Sequence, residues 1–170
     1  QFGFQEKELI KEGKKIFSNV LFVPLDEIRI ESTTKTRVKY KNYNLENFDC
    51  VIPRIQENVE YAYVVCKLLE DKVFMPIKPE SLLYAHDKFL SLLKLQSAGI
   101  PIPITFLSAT RKSLGNVLDK INYPIVMKLL SGSEGRGVMF ADSKSSAASI
   151  LDTIESMKHP LFLEEYIAVS

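Results

Sequence analysis

The stretch "VMKLLSGSEGRGVMF", Val126 to Phe140, is where this sequence concentrates residue types able to do chemistry. Three of the chain's 7 glycines, Gly132, Gly135 and Gly137, fall inside it, between two apolar runs. Glycine tolerates sharp turns and lets backbone come close to a ligand, at an entropic cost wherever neither is needed. The spacing admits two readings. One is a hairpin connection made of turn-forming Gly and Ser. The other is a strand–loop–strand lid, in which backbone N–H groups of Ser131, Gly132, Ser133, Glu134, Gly135, Arg136, Gly137 and Val138 close over phosphates. A P-loop is excluded because the loop lacks a closing Gly-Lys-Ser/Thr. The dinucleotide fingerprint is excluded because a strand follows, not a helix. Arg136 has two readings of equal weight, a phosphate contact or a solvent-facing guanidinium.

Two lysines and one acidic strand belong to the same chemistry. Lys128 interrupts the apolar run "IVMKLL", and a buried ammonium needs either water or an anion. Lys88, in "AHDKFL", reads as a solvated helix face or as a second phosphate contact. Together they would supply compact cationic contacts to a triphosphate. "LFLEEYI" places Glu164, Glu165, Tyr166 and Ile167 at the end of a strand, where carboxylates mark an exposed edge or a backbone pairs with a purine. Arg54 breaks the apolar pattern of "DCVIPRI". It caps a strand end or faces a substrate carboxylate.

The totals bound the partners. With 46% hydrophobic and 25% charged residues the chain reads as a soluble globular protein, and 170 residues allow one ordinary domain or two small ones. Its 22 basic and 21 acidic residues leave a net charge of +1, so no global field recruits nucleic acid or an anionic membrane. Cys50 and Cys66 sit among apolar neighbours without metal-ligand spacing and read as buried free thiols in a reducing compartment. The sequence lacks both a signal-peptide pattern at its start and an apolar run near the roughly 18 residues of a membrane span. The expected location is the cytoplasm.

The elements that must position these residues follow from periodicity. Glu6–Phe17 has helical spacing. Asn19–Leu25 and Asp49–Ile55 read as buried strands, with a more exposed strand pair, "DEIRIES" and "TRVKYKNY", between them. A helix over Val59–Asp71 and a strand at "KVFMPI" complete an apparent parallel strand–helix–strand unit. One long helix is expected from Ser81, capped by Gly99 and stopped by Pro101 and Pro103. Then come a strand at "ITFLSA", a short helix over Arg111–Ile121, and strands at "YPIVMKLL" and "GVMFADS" around the glycine loop. A helix N-capped by Ser143 or Ser145 and a last strand at "PLFLEEYI" follow. The chain opens on a helix and stops just after a strand left at an edge, which reads as part of a larger protein.

Quoted in order, "CVIPRI", "AHDKFLSLLKLQSAGIPIPIT", "YPIVMKLLSGSEGRGV" and "LFLEEYI" resemble the ATP-grasp ligases, and most closely the RimK type, over roughly residues 50 to 167. The resemblance favours the lid. It implies an α/β pre-ATP-grasp parallel-sheet domain over 1–77 and a connecting helix carrying Lys88 over 78–100. The first, α+β part of an ATP-grasp fold follows over 101–170, incomplete after the hinge strand. It makes Lys88 and Lys128 the phosphate contacts, Ser131 to Val138 the loop over the triphosphate, and Glu164 to Ile167 the adenine hinge. Arg54 resembles an acceptor-side position. No metal ligand is assigned in this chain: the family's ribose, intermediate-binding and metal residues follow the hinge.

The activity implied is amide-bond formation through an acylphosphate. ATP, with Mg2+ or Mn2+, would drive addition of L-glutamate to a carboxylate acceptor: a coenzyme, a small molecule or a protein C-terminus. A homo-oligomer, dimer or tetramer, is implied for the full-length protein. The alternative is a nucleotide-binding regulatory or scaffold module that kept the fold without ligase activity. A plain α/β fragment with an ordinary turn is the third reading.

Overall fold

The computed structural model describes residues 3–130 and 137–168. The chain divides into two units, Gln1–Pro79 and Glu80–Ser170, each with its own sheet.

In the first unit, helix α1 (Phe4–Gly13) precedes an antiparallel sheet of β1 (Ile28–Ser32), β2 (Thr36–Tyr40) and β3 (Tyr43–Asn44), and helix α2 spans Val59–Leu69. Val38, Tyr40, Leu45, Val65, Leu69 and Val73 form the core. The alternation in "RIES" and "TRVKY" is what half-buried strands require, and Ile30 opposite Val38 carries it inward. Three expected strands do not form: Asn19–Leu25, Asp49–Ile55 and "KVFMPI". Residues 19–24 pack Leu21 and Val23 against this core without forming a strand. The expected parallel unit is reduced to one bridge, Cys50 to Phe74. Val51 N–H donates to Phe74 O at 2.9 Å and Phe74 N–H to Asp49 O at 3.0 Å. The next donors on this ladder would be the amides of residues 53 and 76, and both are prolines. Without N–H groups the ladder stops after a single residue pair. Cys66 is buried as expected, whereas Cys50 is only half-buried.

The second unit holds α3 (Pro79–His86) and α4 (Lys88–Ser97). Strand β4 (Thr105–Ser108) leads through a 3-10 turn at Arg111–Leu114 into α5 (Gly115–Lys120). Strands β5 (Ile125–Lys128) and β6 (Val138–Ala141), helix α6 (Lys144–Ser156) and β7 (Leu161–Glu165) follow. The one long helix expected from Ser81 is two helices. At Asp87 the backbone becomes extended, and its carboxylate accepts from Phe89 N at 2.8 Å and Leu90 N at 2.9 Å, capping α4. Gly99 closes α4 at φ +76°, donating to Gln96 O while Ile100 N–H reaches Leu95 O. Ser143 caps α6 and forms a capping box with Ser146.

The sheet order is β4-β7-β5-β6, antiparallel throughout. The last strand is therefore interior, not at an edge: β7 pairs with both β4 and β5. Four of its five residues are buried, as its run of Leu-Phe-Leu demands. Leu114, Leu118, Ala147, Leu151 and Ile154 from the 3-10 turn, α5 and α6 cover one face of this sheet. Among the described residues, no helix is long and apolar enough to cross a membrane.

Candidate functional site

Strand register sorts the second unit's residues onto two faces. Ile125, Met127, Leu161, Leu163 and Ala141 point into the helix-covered core, and all five are fully buried. The other face carries their alternates: Phe162 opposite Lys128, Glu164 opposite Val126, and on β6 Val138 opposite Lys128 and Phe140 opposite Val126. Phe89, on the first turn of α4, meets Phe162 edge-on with ring centroids 6.0 Å apart and buries it. Beyond that contact the face is open. Val138 and Phe140 are exposed, and Tyr166 stands edge-on to Phe140 at 5.3 Å.

A charged pair is set into this apolar floor. Lys128 Nζ bonds to the carboxylate of Glu164, and the two side chains are 26% and 8% exposed. Glu164 is the one buried charged residue among those described. The Lys128 ammonium also lies 6.0 Å from the centre of the Phe162 ring. The anion that an apolar-strand lysine calls for is thus, in part, a neighbour in the same sheet. A quarter of the lysine side chain remains exposed.

Lys88 is the first residue of α4, a position where the helix dipole disfavours a cation. Its ammonium is held instead by the carbonyls of Leu129 at 2.9 Å and Leu130 at 3.1 Å. Both lysines therefore converge on the end of β5. Gly137 returns the chain to the sheet at φ +74°, and Leu129 N–H donates to its carbonyl at 2.9 Å. A Cβ at Gly137 would stand 3.0 Å from Leu129 side-chain atoms, so both the backbone angle and this contact disfavour a larger residue there. Ser131, Gly132, Ser133, Glu134, Gly135 and Arg136 lie outside the described residues.

At the end of β7 the Glu165 carboxylate accepts the Ile104 N–H at 2.9 Å, and Tyr166 and Ile167 follow, both exposed. Arg54 stands apart from this group, in the first unit. Its guanidinium bonds to the Gln5 side chain and lies 3.7 Å from Glu6, both on α1. A separate cleft of about 520 Å3, between the 3-10 turn with α5 and helix α6, has its charges largely paired: Arg111 with Asp152, and Lys144 with Asp119. That pairing clips the helices together.

Residues 85–170, half of the chain and all of the site, match the RimK-like ATP-grasp domain. The chain belongs to the RimK-like ATP-grasp family. A probable alpha-L-glutamate ligase from Pseudomonas paraeruginosa is 33% identical over 172 residues, covering 96% of this chain and 56% of its own length. The crystal structure of a RimK domain ATP-grasp protein from Sphaerobacter thermophilus superposes with a TM-score of 0.74 at 16% identity, covering 99% of this chain and 62% of that one. An N5-carboxyaminoimidazole synthetase from Staphylococcus aureus, solved in complex with ADP, gives 0.59 at 18% identity over 72% of this chain and 32% of its own. At these identities the two structures establish the fold. The chain spans about half the length of the curated relatives it matches.

Within this RimK-like chain, the geometry adds residues that spacing did not single out. Phe89, Phe140, Phe162 and Val126 build the floor, and the Leu129 and Leu130 carbonyls hold Lys88. The period-two alternation of "GVMFAD" and "PLFLEEYI" carried the signal for Phe140 and Phe162, once the two strands are placed in one sheet. Among the described residues there is no group of three or more His, Cys, Asp or Glu able to hold a metal ion.

Proposed function

We propose that the protein is an ATP-dependent carboxylate–amine ligase, adding L-glutamate to a carboxylate acceptor that is a coenzyme, a small molecule or a protein C-terminus. The observation that carries this reading is the half-open sheet face. On it a lysine paired to a buried carboxylate sits within an apolar floor that ends at an exposed strand terminus. A purine suits the floor beside Phe140 and Tyr166, a phosphate suits the exposed side of Lys128, and the backbone from Glu164 to Ile167 suits the rim of a base. The relatives' names point to glutamate as the amine.

In this reading ATP supplies the phosphoryl group. A carboxylate oxygen of the acceptor takes the γ-phosphoryl as ADP leaves. The glutamate nitrogen then attacks the acyl carbon, phosphate departs with its electron pair, and the amine loses a proton to give the amide. The residues of this chain contribute positioning and charge. Lys128 is held upright by Glu164, so its ammonium meets the polyphosphate without first being ordered. Lys88 fixes the backbone at Leu129 and Leu130, where the glycine-rich segment departs. That segment would exclude water from the acylphosphate. Mg2+ or Mn2+ is expected to accompany the nucleotide, and the described residues supply no ligand cluster for it.

The test uses the complete gene product with magnesium-ATP, L-glutamate and a panel of carboxylate acceptors carrying 18O. ADP release that needs both glutamate and an acceptor, with 18O passing into phosphate, is the expected result. ATP binding without turnover across the whole panel would replace this reading with a nucleotide-binding regulatory module.

A further inference from the structure

The β1–β2 hairpin of the first unit presents a face of cations with a single carboxylate among them. Ile30 opposite Val38 turns inward, so the pairs on either side turn outward: Arg29 opposite Lys39, and Glu31 opposite Arg37. Like charges directly opposite each other cost stability, and Glu31 relieves the first pair diagonally. One oxygen of its carboxylate accepts from Arg29 Nε at 2.9 Å, and the other lies 2.8 Å from Lys39 Nζ. These bonds, that from Lys39 foremost, hold the Glu31 carboxyl below its ordinary range. With both oxygens engaged, Glu31 leaves out its own cross-strand neighbour. Among the described residues Arg37 has no ion-pair partner, nor has Lys35 in the turn, and both are exposed.

We propose that this hairpin face docks an acidic peptide segment of a partner protein, with Arg37 as its anchor. Positions on one face of a strand recur every second residue, about 7 Å apart. An extended peptide presents alternate side chains at that same repeat, so carboxylates at every second position meet Arg37 and Lys39 in register. Arg37 brings a planar fork that takes a carboxylate through two parallel hydrogen bonds. Charge density favours a peptide over a nucleic acid. Duplex DNA carries a charge about every 1.7 Å and suits a continuous basic stripe, which Glu31 interrupts here. The chain's net charge of +1 adds no wider field to recruit it. The inference goes beyond the ligase reading and does not depend on it, because no step of that reading uses these residues.

The test is fluorescence anisotropy on the complete protein with a labelled peptide that alternates glutamate and serine. Binding that fades as salt rises, and that is absent when glutamine replaces glutamate in the peptide, is the expected result. Arg37→Glu should weaken it about tenfold and Arg37→Ala about threefold. Arg37→Lys keeps the charge without the fork and should fall between the alanine variant and the parent. Lys112→Glu, a loss and reversal of charge in the second unit, should leave the affinity unchanged. Should Arg37→Glu not fold, Arg37→Ala carries the comparison. No binding by the parent, or equal losses in Arg37→Glu and Lys112→Glu, overturns the proposal. So does a labelled DNA strand that binds through Arg37 more tightly than the peptide. Failure of the ligase reading shows differently, as no acceptor-dependent ADP release while peptide binding persists.

Discussion

Lys128 and Glu164 lie across neighbouring strands in a largely desolvated setting, so neither is replaceable alone. Lys128→Met strands a carboxylate that is 8% exposed, a loss on the order of 2–3 kcal/mol. Lys128→Met combined with Glu164→Gln removes both charges and recovers most of it, although nucleotide affinity stays low. Urea denaturation of the parent and these two variants checks this, and a double variant no more stable than the single one refutes the pairing. Gly137 and Gly99 form a second residue-scale comparison. Both have positive φ, but a Cβ at Gly137 meets Leu129 at 3.0 Å while one at Gly99 meets nothing within 4 Å. Gly99→Ala should cost about 1 kcal/mol for its backbone alone. Gly137→Ala should cost measurably more, because Leu129 must also move; equal losses would mean Leu129 yields freely.

Among the elements, the break between α3 and α4 decides where Lys88 points. Asp87 ends one helix and caps the next, which places Lys88 in the first turn of α4 with its ammonium on the Leu129 and Leu130 carbonyls. Asp87→Ala removes two cap bonds and should cost about 1 kcal/mol, with faster amide exchange at Phe89 and Leu90. Asp87→Asn keeps an acceptor and should behave like the parent. If exchange at these amides is unchanged in Asp87→Ala, the cap does not hold the turn. The break escaped periodicity because apolar residues continue through "LLYAHDKFLSLL", and the aspartate reads as surface until its carboxylate is seen to turn back on Phe89 and Leu90. Ser143 was legible as a cap because it stands directly before a periodic run.

At the scale of the whole molecule, the two thiols differ by environment. Burial pushes the Cys66 thiol up to about 11 from an ordinary 9.0, while Cys50 is half-buried. At pH 8 native protein should react with iodoacetamide at Cys50 first, and Cys66 should react only in denaturant, as mass spectrometry would show; fast native labelling of Cys66 contradicts its burial. Between pH 9.0 and about 11 the unfolded chain releases the Cys66 proton and the folded chain keeps it. Stability from this group is therefore complete below pH 9.0 and declines as pH rises toward 11. Asp142 works in the opposite direction: hydrogen bonds from the Ser146 and Ser143 hydroxyls hold its carboxyl below the ordinary 3.8. Its contribution is present above that value and is lost in acid. Ser146→Ala should reduce the acid sensitivity seen in a pH series of melting temperatures.

What was legible in the sequence alone was whatever depends on neighbours along the chain. The alternation of β1 and β2, the spans of α2 and α6, the Gly99 stop and the β5–β6 hairpin each follow from local periodicity and caps. The motifs around Lys88, Lys128 and "EEYI" carried the family, because their order and spacing survive without any structure. Tertiary structure alone decided the pairings. Proline at positions 53 and 76 cuts the parallel ladder only because those two amides face each other's strands. The final strand became interior because β4 and β5, far apart in sequence, both offered it a hydrogen-bonding edge. Lys128 found Glu164, and Glu165 found Ile104, through strand register, which fixes contacts across 36 and 61 residues of sequence and leaves no mark in either segment read by itself.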